Sequence, residues 1–162
     1  MADHNQTGML VLGLGRFGGA IATTLEELGY EVLAVDADPK IVQSYAGRLT
    51  HVVEADTTDE EALRQVGAAD FNCAVVAIGT HIEASILTTT VLLDLGVQTI
   101  WAKAISSPHA RILERVGATR VVRPEHEMGE RVAHLVAGRA LNYIEFEDGF
   151  ALVETKPPGE YV

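Results

Sequence analysis

Cysteine is almost absent: Cys73 is the only one in 162 residues. That excludes a disulfide framework and a multi-cysteine zinc ribbon. Cys73 sits in the apolar run CAVVAI and reads as a small buried hydrophobe. Positive charge is scarce too. Lys and Arg number 12 against 23 Asp and Glu, a formal net charge of −11. Such a surface repels phosphate backbones and anionic lipid, so nucleic acid is not an expected partner. An anion could be held only locally, by backbone dipoles and a few placed cations. No apolar run approaches the ~20 residues that cross a bilayer. The opening MADHNQTG has neither the basic nor the apolar part of a secretion signal. The expectation is a cytoplasmic protein whose link to a membrane, if any, runs through a partner. Internal repeats and low-complexity tracts are also missing.

Hydrophobic residues make up 48% of the chain, which argues against disorder, and the length suits one domain with a real core. Short continuous apolar runs recur at MLVLG (9–13), EVLAVD (31–36), THVVEAD (50–56), CAVVAIG (73–79), TIWAKA (99–104) and RVVRP (120–124). Runs of this kind suit strands of a parallel sheet covered on both faces. Helix signals lie between them. Asp38-Pro39 and Ser107-Pro108 read as a cap followed by Pro in the first turn. Thr58-Asp59-Glu60-Glu61 fits a capping box with acid in the first turn. Gly29, Gly67, Gly96 and Gly117 each close an amphipathic segment, where a left-handed residue is wanted. Six such alternations predict an α/β domain, a Rossmann-like doubly wound parallel sheet of six strands over about residues 8–140. From residue 141 to 162 the composition changes, with aromatics, alternation and KPPG. This tail is expected to be a linker and the opening strands of an incomplete C-terminal lobe.

Gly13-Leu14-Gly15-Arg16-Phe17-Gly18 matches G-x-G-x-x-G between a strand-like and a helix-like run, the context that gives the motif meaning. Gly13 would allow the tight turn, Gly15 the approach of a pyrophosphate, and Gly18 close packing of helix on strand. Free amides at the helix start would attract phosphate. Asp36, followed by Ala37, ends the next strand. Its carboxylate can accept bonds from both ribose hydroxyls and would repel a 2′-phosphate, which disfavours NADP. Arg16 either meets a charge beyond the pyrophosphate or is a solvated surface residue. Phe17 either closes over a nucleotide or caps helix packing.

Ligands of open α/β sheets lie beyond the carboxyl ends of the strands. Asp56-Thr57 ends the third run and is a candidate for adenine contacts, or simply for helix capping. Ile78-Gly79 ends the fourth, where Gly79 would admit a sugar or phosphate. Lys103 ends the fifth and is either a phosphate partner or a snorkelling surface lysine. Glu125 and Glu127 fall in a first helical turn, where they complement the dipole. His126 and Glu130 share a face at i, i+4, but the segment is not H-E-x-x-H and no zinc is assigned.

Taken together, VLGLGRFGGAIATTLEELGYEVLAVDAD, VVAIGTHIEASILTTTVLLDLG, IWAKA, ERVGATRVVRPEHEMGERVA and LNYIEF resemble the RCK/KTN regulatory domains of Trk/Ktr potassium uptake systems, most closely the Ktr type. The likeness spans nearly all of residues 8–155. It rests on AIG, S-x-L-T-T and GA-x-R-V-V-x-P-E falling in order at the expected strands. The resemblance implies a cytoplasmic gating subunit, peripheral to the membrane through a Trk/Ktr-type potassium-channel subunit. It implies a homodimer made by a crossing helix and assembled into an octameric ring. It further implies ATP or ADP, and in some members NAD or NADH, at the glycine loop. By position, Gly13, Gly15 and Gly18 would hold phosphates, Asp36 the ribose, and Arg16 the terminal phosphates. Lys103 and Glu125 would lie nearby, with Glu125 helping to hold a divalent cation beside ATP. Family members continue into a C-terminal lobe; here the lobe is expected to be absent or removed.

Two other functions compete. A dehydrogenase needs a substrate domain and a catalytic acid or base, and about twenty residues after the sheet are too few for one. A redox-sensing DNA-binding Rossmann protein needs a basic face and a helical reading module, which the composition does not offer. The expectation is therefore a regulatory subunit that binds its ligand without consuming it.

Overall fold

The short valine- and isoleucine-rich runs do form strands, and the amphipathic segments between them form helices. A computed structural model describes residues 8–138, 142–146 and 149–155. The chain divides into two compact units, residues 1–122 and 123–162. The first contains β1 (Gly8–Leu12), α1 (Arg16–Glu27), β2 (Glu31–Asp36), α2 (Pro39–Tyr45), β3 (His51–Glu54) and α3 (Glu60–Gln65). It continues through β4 (Cys73–Val76), α4 (Ile82–Asp94), β5 (Thr99–Lys103), α5 (Ser107–Val116) and β6 (Arg120–Val122). The strands pair in parallel in the order β3-β2-β1-β4-β5-β6. This is the doubly wound arrangement expected from the alternation, and it has its switch point between β1 and β4.

Strand alternation sends side chains to two cores. Leu10 and Leu12 face one way, with Leu63, Leu92, Ile100 and Leu113, under α3, α4 and α5. Val11 faces the other way, with Ala22, Val32, Ala34 and Leu49, under α1 and α2. Each of these leucines, buried to 5% exposure or less, contributes about 1.5–3 kcal/mol of transfer free energy. The four C-terminal glycines take the left-handed conformation expected of them, with φ of 91, 87, 84 and 117° at Gly29, Gly67, Gly96 and Gly117.

Two caps differ from expectation by one residue. α3 is capped by Asp59, whose carboxylate accepts from the Glu61 and Ala62 amides; the Thr58 hydroxyl turns back to Asp56 instead. α5 is capped by Ser106, whose Oγ accepts from the His109 amide, with Pro108 one step further into the first turn.

The second unit contains α6 (Pro124–Val136) and an antiparallel hairpin of β7 (Asn142–Glu145) and β8 (Ala151–Glu154). The expected boundary at residue 140 falls on the segment 139–141, outside the described residues. Among the described residues, no helix is long and apolar enough to cross a membrane.

Candidate functional site

The loop after β1 is where the sheet splits, and its backbone accounts for each glycine separately. Gly13 has φ 93° and passes so close to β4 that a Cβ would lie 2.9 Å from the Ala77 carbonyl oxygen and 3.2 Å from Ile78 Cγ1. At Gly18 a Cβ would run into the Gly13 carbonyl oxygen and stand 2.9 Å from Ala77 Cβ. These two glycines are required by the fold itself: one turns the chain, and the other lets α1 sit against the strand that it leaves. Gly15 differs. Its φ of −65° and ψ of −168° suit any residue, and a Cβ there would meet nothing within 4 Å. Nothing in the described chain asks for glycine at residue 15, but a ligand lying against the backbone would.

The start of α1 points the same way. α2, α3 and α5 have their first amides capped by Asp38, Asp59 and Ser106. α1 has no side-chain cap and no acid in its first turn. Its first residue is Arg16, exposed, a cation at the end of the helix dipole that repels one. Left alone, this terminus lacks an acceptor and carries the wrong charge. A bound anion supplies both. The loop therefore fits a pyrophosphate on its own geometry.

Asp36 is built into that loop. Its Oδ2 accepts from the Leu14 amide at 2.8 Å, and its Oδ1 accepts from the Asp38 amide at 2.8 Å. Each carboxylate oxygen has a second acceptor position, so the pair can still take ribose hydroxyls. The acid at the end of β2 and the turn after β1 are thus one rigid element. Ala37 follows Asp36 and is exposed.

On the other flank, Gly79 and Lys103 come together. A Cβ on Gly79 would stand 2.9 Å from Lys103 Nζ, and the same ammonium lies 5.7 Å from the centre of the half-buried Phe17 ring, within cation–π range. Gly13, Ile78, Gly79, Phe17 and Lys103 therefore form one cluster, with Leu14 and Asp36 tied to its opposite side.

Asp56 ends up beside β2, where the Ala55 amide donates to the Asp36 carbonyl. Its carboxylate is occupied in a local turn, taking the Thr58 hydroxyl at 2.7 Å and the Thr58 amide at 2.9 Å. These two bonds hold its pKa below the ordinary aspartate value, against a small opposing effect of burial. Thr57 is buried, and its hydroxyl meets that of Thr88 on α4 at 2.8 Å. Its side chain serves the interior, so any ligand contact by Thr57 would come from its backbone.

Glu125 lies in the first turn of α6, in the second unit. His126 and Glu130 pair at 3.1 Å on that helix. Among the described residues, no group of three or more His, Cys, Asp and Glu could hold a metal ion. Sequence reasoning missed two contacts. One is the Leu14–Asp36 bond, which depends on sheet register. The other is at Gly19, where a Cβ would overlap the Tyr45 hydroxyl. The Gly18-Gly19 doublet was the available signal for the second.

Comparison with known proteins agrees with this geometry. The family model for the TrkA-N domain matches residues 9–124. The chain is 46% identical over 145 residues to Ktr system potassium uptake protein C of Bacillus subtilis (strain 168), covering 89% of this chain and 66% of that protein. It is 43% identical over 145 residues to Ktr system potassium uptake protein A of the same organism, covering 89% and 65%. The matched region thus spans just under two-thirds of these relatives' length. Among solved structures, the TrkA-N domain of the inner membrane protein ybaL from Escherichia coli superposes with a TM-score of 0.73 at 17% identity, covering 81% of this chain and 97% of that one. GsuK bound to ADP gives a TM-score of 0.70 at 23% identity, covering 83% and 35%. The GsuK channel bound to NAD gives 0.71 at 16%, covering 91% and 27%. At these identities the structural likeness is one of fold. The family model and the two Ktr relatives carry the assignment: the chain belongs to the TrkA-N domain family, in its RCK/Ktr-type branch.

Proposed function

We propose that the chain is the nucleotide-sensing part of a regulatory subunit that gates a membrane potassium-uptake channel from the cytoplasmic side. The ligand is ATP or ADP, with NAD or NADH as the alternative, held at Gly13–Gly18. Asp36 and Ala37 take the ribose side, and Asp56 and Thr57 the base side. Ile78, Gly79, Lys103 and Arg16 line the phosphate side. The observation that carries this reading is Gly15: open space and an unstrained backbone leave a ligand as the reason for glycine there. The Ktr relatives supply the potassium-uptake context, and the ADP- and NAD-bound GsuK structures share the fold.

A triphosphate brings more charge than a diphosphate, to be balanced by Arg16 and by a bound divalent cation. Ligands with different affinities for two assembled shapes shift the balance between them. In this proposal, those shapes belong to a homodimer that assembles into an octameric ring under the channel. Exchange of ADP for ATP should change the sedimentation or small-angle scattering profile of the purified protein without turnover. Sustained oxidation of NADH in the presence of candidate substrates would overturn the regulatory reading in favour of a dehydrogenase.

A further inference from the structure

The stretch S-x-L-T-T falls on α4, and three of its side chains are buried: Ser85, Thr88 and Thr89 are each 0% exposed. Thr89 is satisfied inside its own helix, donating to the Ser85 carbonyl oxygen at 2.9 Å. The other two bond to different neighbouring segments. The Thr88 hydroxyl meets that of Thr57 at 2.8 Å, and Thr57 directly follows Asp56. Ser85 Oγ meets Nε2 of His109 at 3.0 Å. The other ring nitrogen of His109, Nδ1, accepts from the Ile105 amide at 3.1 Å. That bond fixes the tautomer, so Nε2 carries the proton and donates it to Ser85. Ile105 lies two residues beyond Lys103.

One helical turn therefore holds the loop after β3 and the loop after β5, which lie two strands to either side of β1 and its glycine loop. Packing alone would not select these residues. Valine has the shape of threonine, and burying a hydroxyl costs about what one bond returns. What the bonds add is fixed distance and direction.

We propose that Thr88 and Ser85 are positioning residues of the nucleotide site, Thr88 setting the base-side loop at Asp56-Thr57 and Ser85, through His109, setting the phosphate-side loop at Ile105 that follows Lys103 at the end of β5. The proposal rests on the nucleotide-binding reading above and adds that α4 makes the two sides move together. It assigns different ligand selectivity to the two hydroxyls. Losing the Thr88 hydroxyl should weaken every ligand that has the base, whereas losing the Ser85 hydroxyl should weaken only ligands that have phosphates.

The test titrates the full chain with adenosine by NMR and with ADP by calorimetry. Thr88→Val should weaken both ligands about fivefold, the equivalent of one buried hydrogen bond. Thr88→Ser should restore both. Ser85→Ala should weaken ADP by about as much and leave adenosine unchanged. The proposal is overturned if Thr88→Ser behaves like Thr88→Val, or if both truncations lower both ligands in equal proportion, as general loosening would. It also fails if Thr88→Val leaves adenosine affinity intact. Failure of the wild-type chain to bind either ligand would remove the underlying nucleotide reading, and this is seen before any variant is made.

Discussion

Arg16 is the residue whose placement is hardest to explain without a ligand. It opens α1, where the dipole disfavours a cation, and no acid shares its first turn. If it meets charge beyond the pyrophosphate, Arg16→Ala should weaken ATP about tenfold and ADP at most two- to threefold. Equal losses measured by calorimetry would remove that role. Gly18 makes a different claim. A Cβ there is driven into the Gly13 carbonyl oxygen, and its neighbours are the Gly13 backbone and the Ala77 methyl, which has no torsion that could move it aside. Gly18→Ala should therefore cost more than about 3 kcal/mol in thermal or urea unfolding, in the range of severe packing defects. The spacing of the glycines already marked this loop, because turn, approach and packing each demand a glycine at a set offset. The paired role of Asp36 was only half legible. Its position at the end of β2 showed in the sequence. Its bond to the Leu14 amide did not, because that contact depends on the pairing that sets Leu12 beside Val35.

At the scale of elements, the strands were readable from their continuous apolar runs and the helix ends from their glycines. The starts of α3 and α5 were misjudged by one residue. Each has two adjacent side chains able to cap, and the backbone conformation of Asp59 and Ser106 decides between them. α4 hid more. Its buried positions include the polar Ser85, Thr88 and Thr89 beside Leu92, while Ile82 and Leu87 are exposed, so the apolar pattern does not mark Ser85 and Thr88 as buried. His109 joins α4 to α5 and is 1% exposed. Burial lowers its pKa below the ordinary histidine value. The unfolded chain therefore binds the proton more tightly than the native one, and stability falls as pH falls. The contribution is complete above the unfolded value of about 6.5 and is lost below it, towards the folded value. Urea unfolding between pH 7.5 and 5.5 should show this loss in the wild type and a flatter profile in His109→Gln. Identical profiles would mean that His109 is not the group responsible.

For the whole molecule, the charge of −11 and the site belong to one design. An acidic surface discourages stray polyanions, so in the proposed site a phosphate ligand would be held by directed amides, a placed lysine and an arginine rather than by a general positive field. Fold and family were legible because the motifs fall in order along the sheet. Assembly was not, because it depends on surfaces that a single chain does not pair. The central claim is that the space over Gly15 belongs to a nucleotide, and calorimetric titration of ADP into the wild-type chain and Gly15→Val tests it most directly. The variant should fold, with an unfolding midpoint close to that of the wild type, because a side chain there meets nothing in the protein. It should also lose ADP binding at least a hundredfold, more than about 2.7 kcal/mol. Unchanged ADP affinity in a folded Gly15→Val protein, or no binding of any adenine nucleotide by the wild type, would contradict the account.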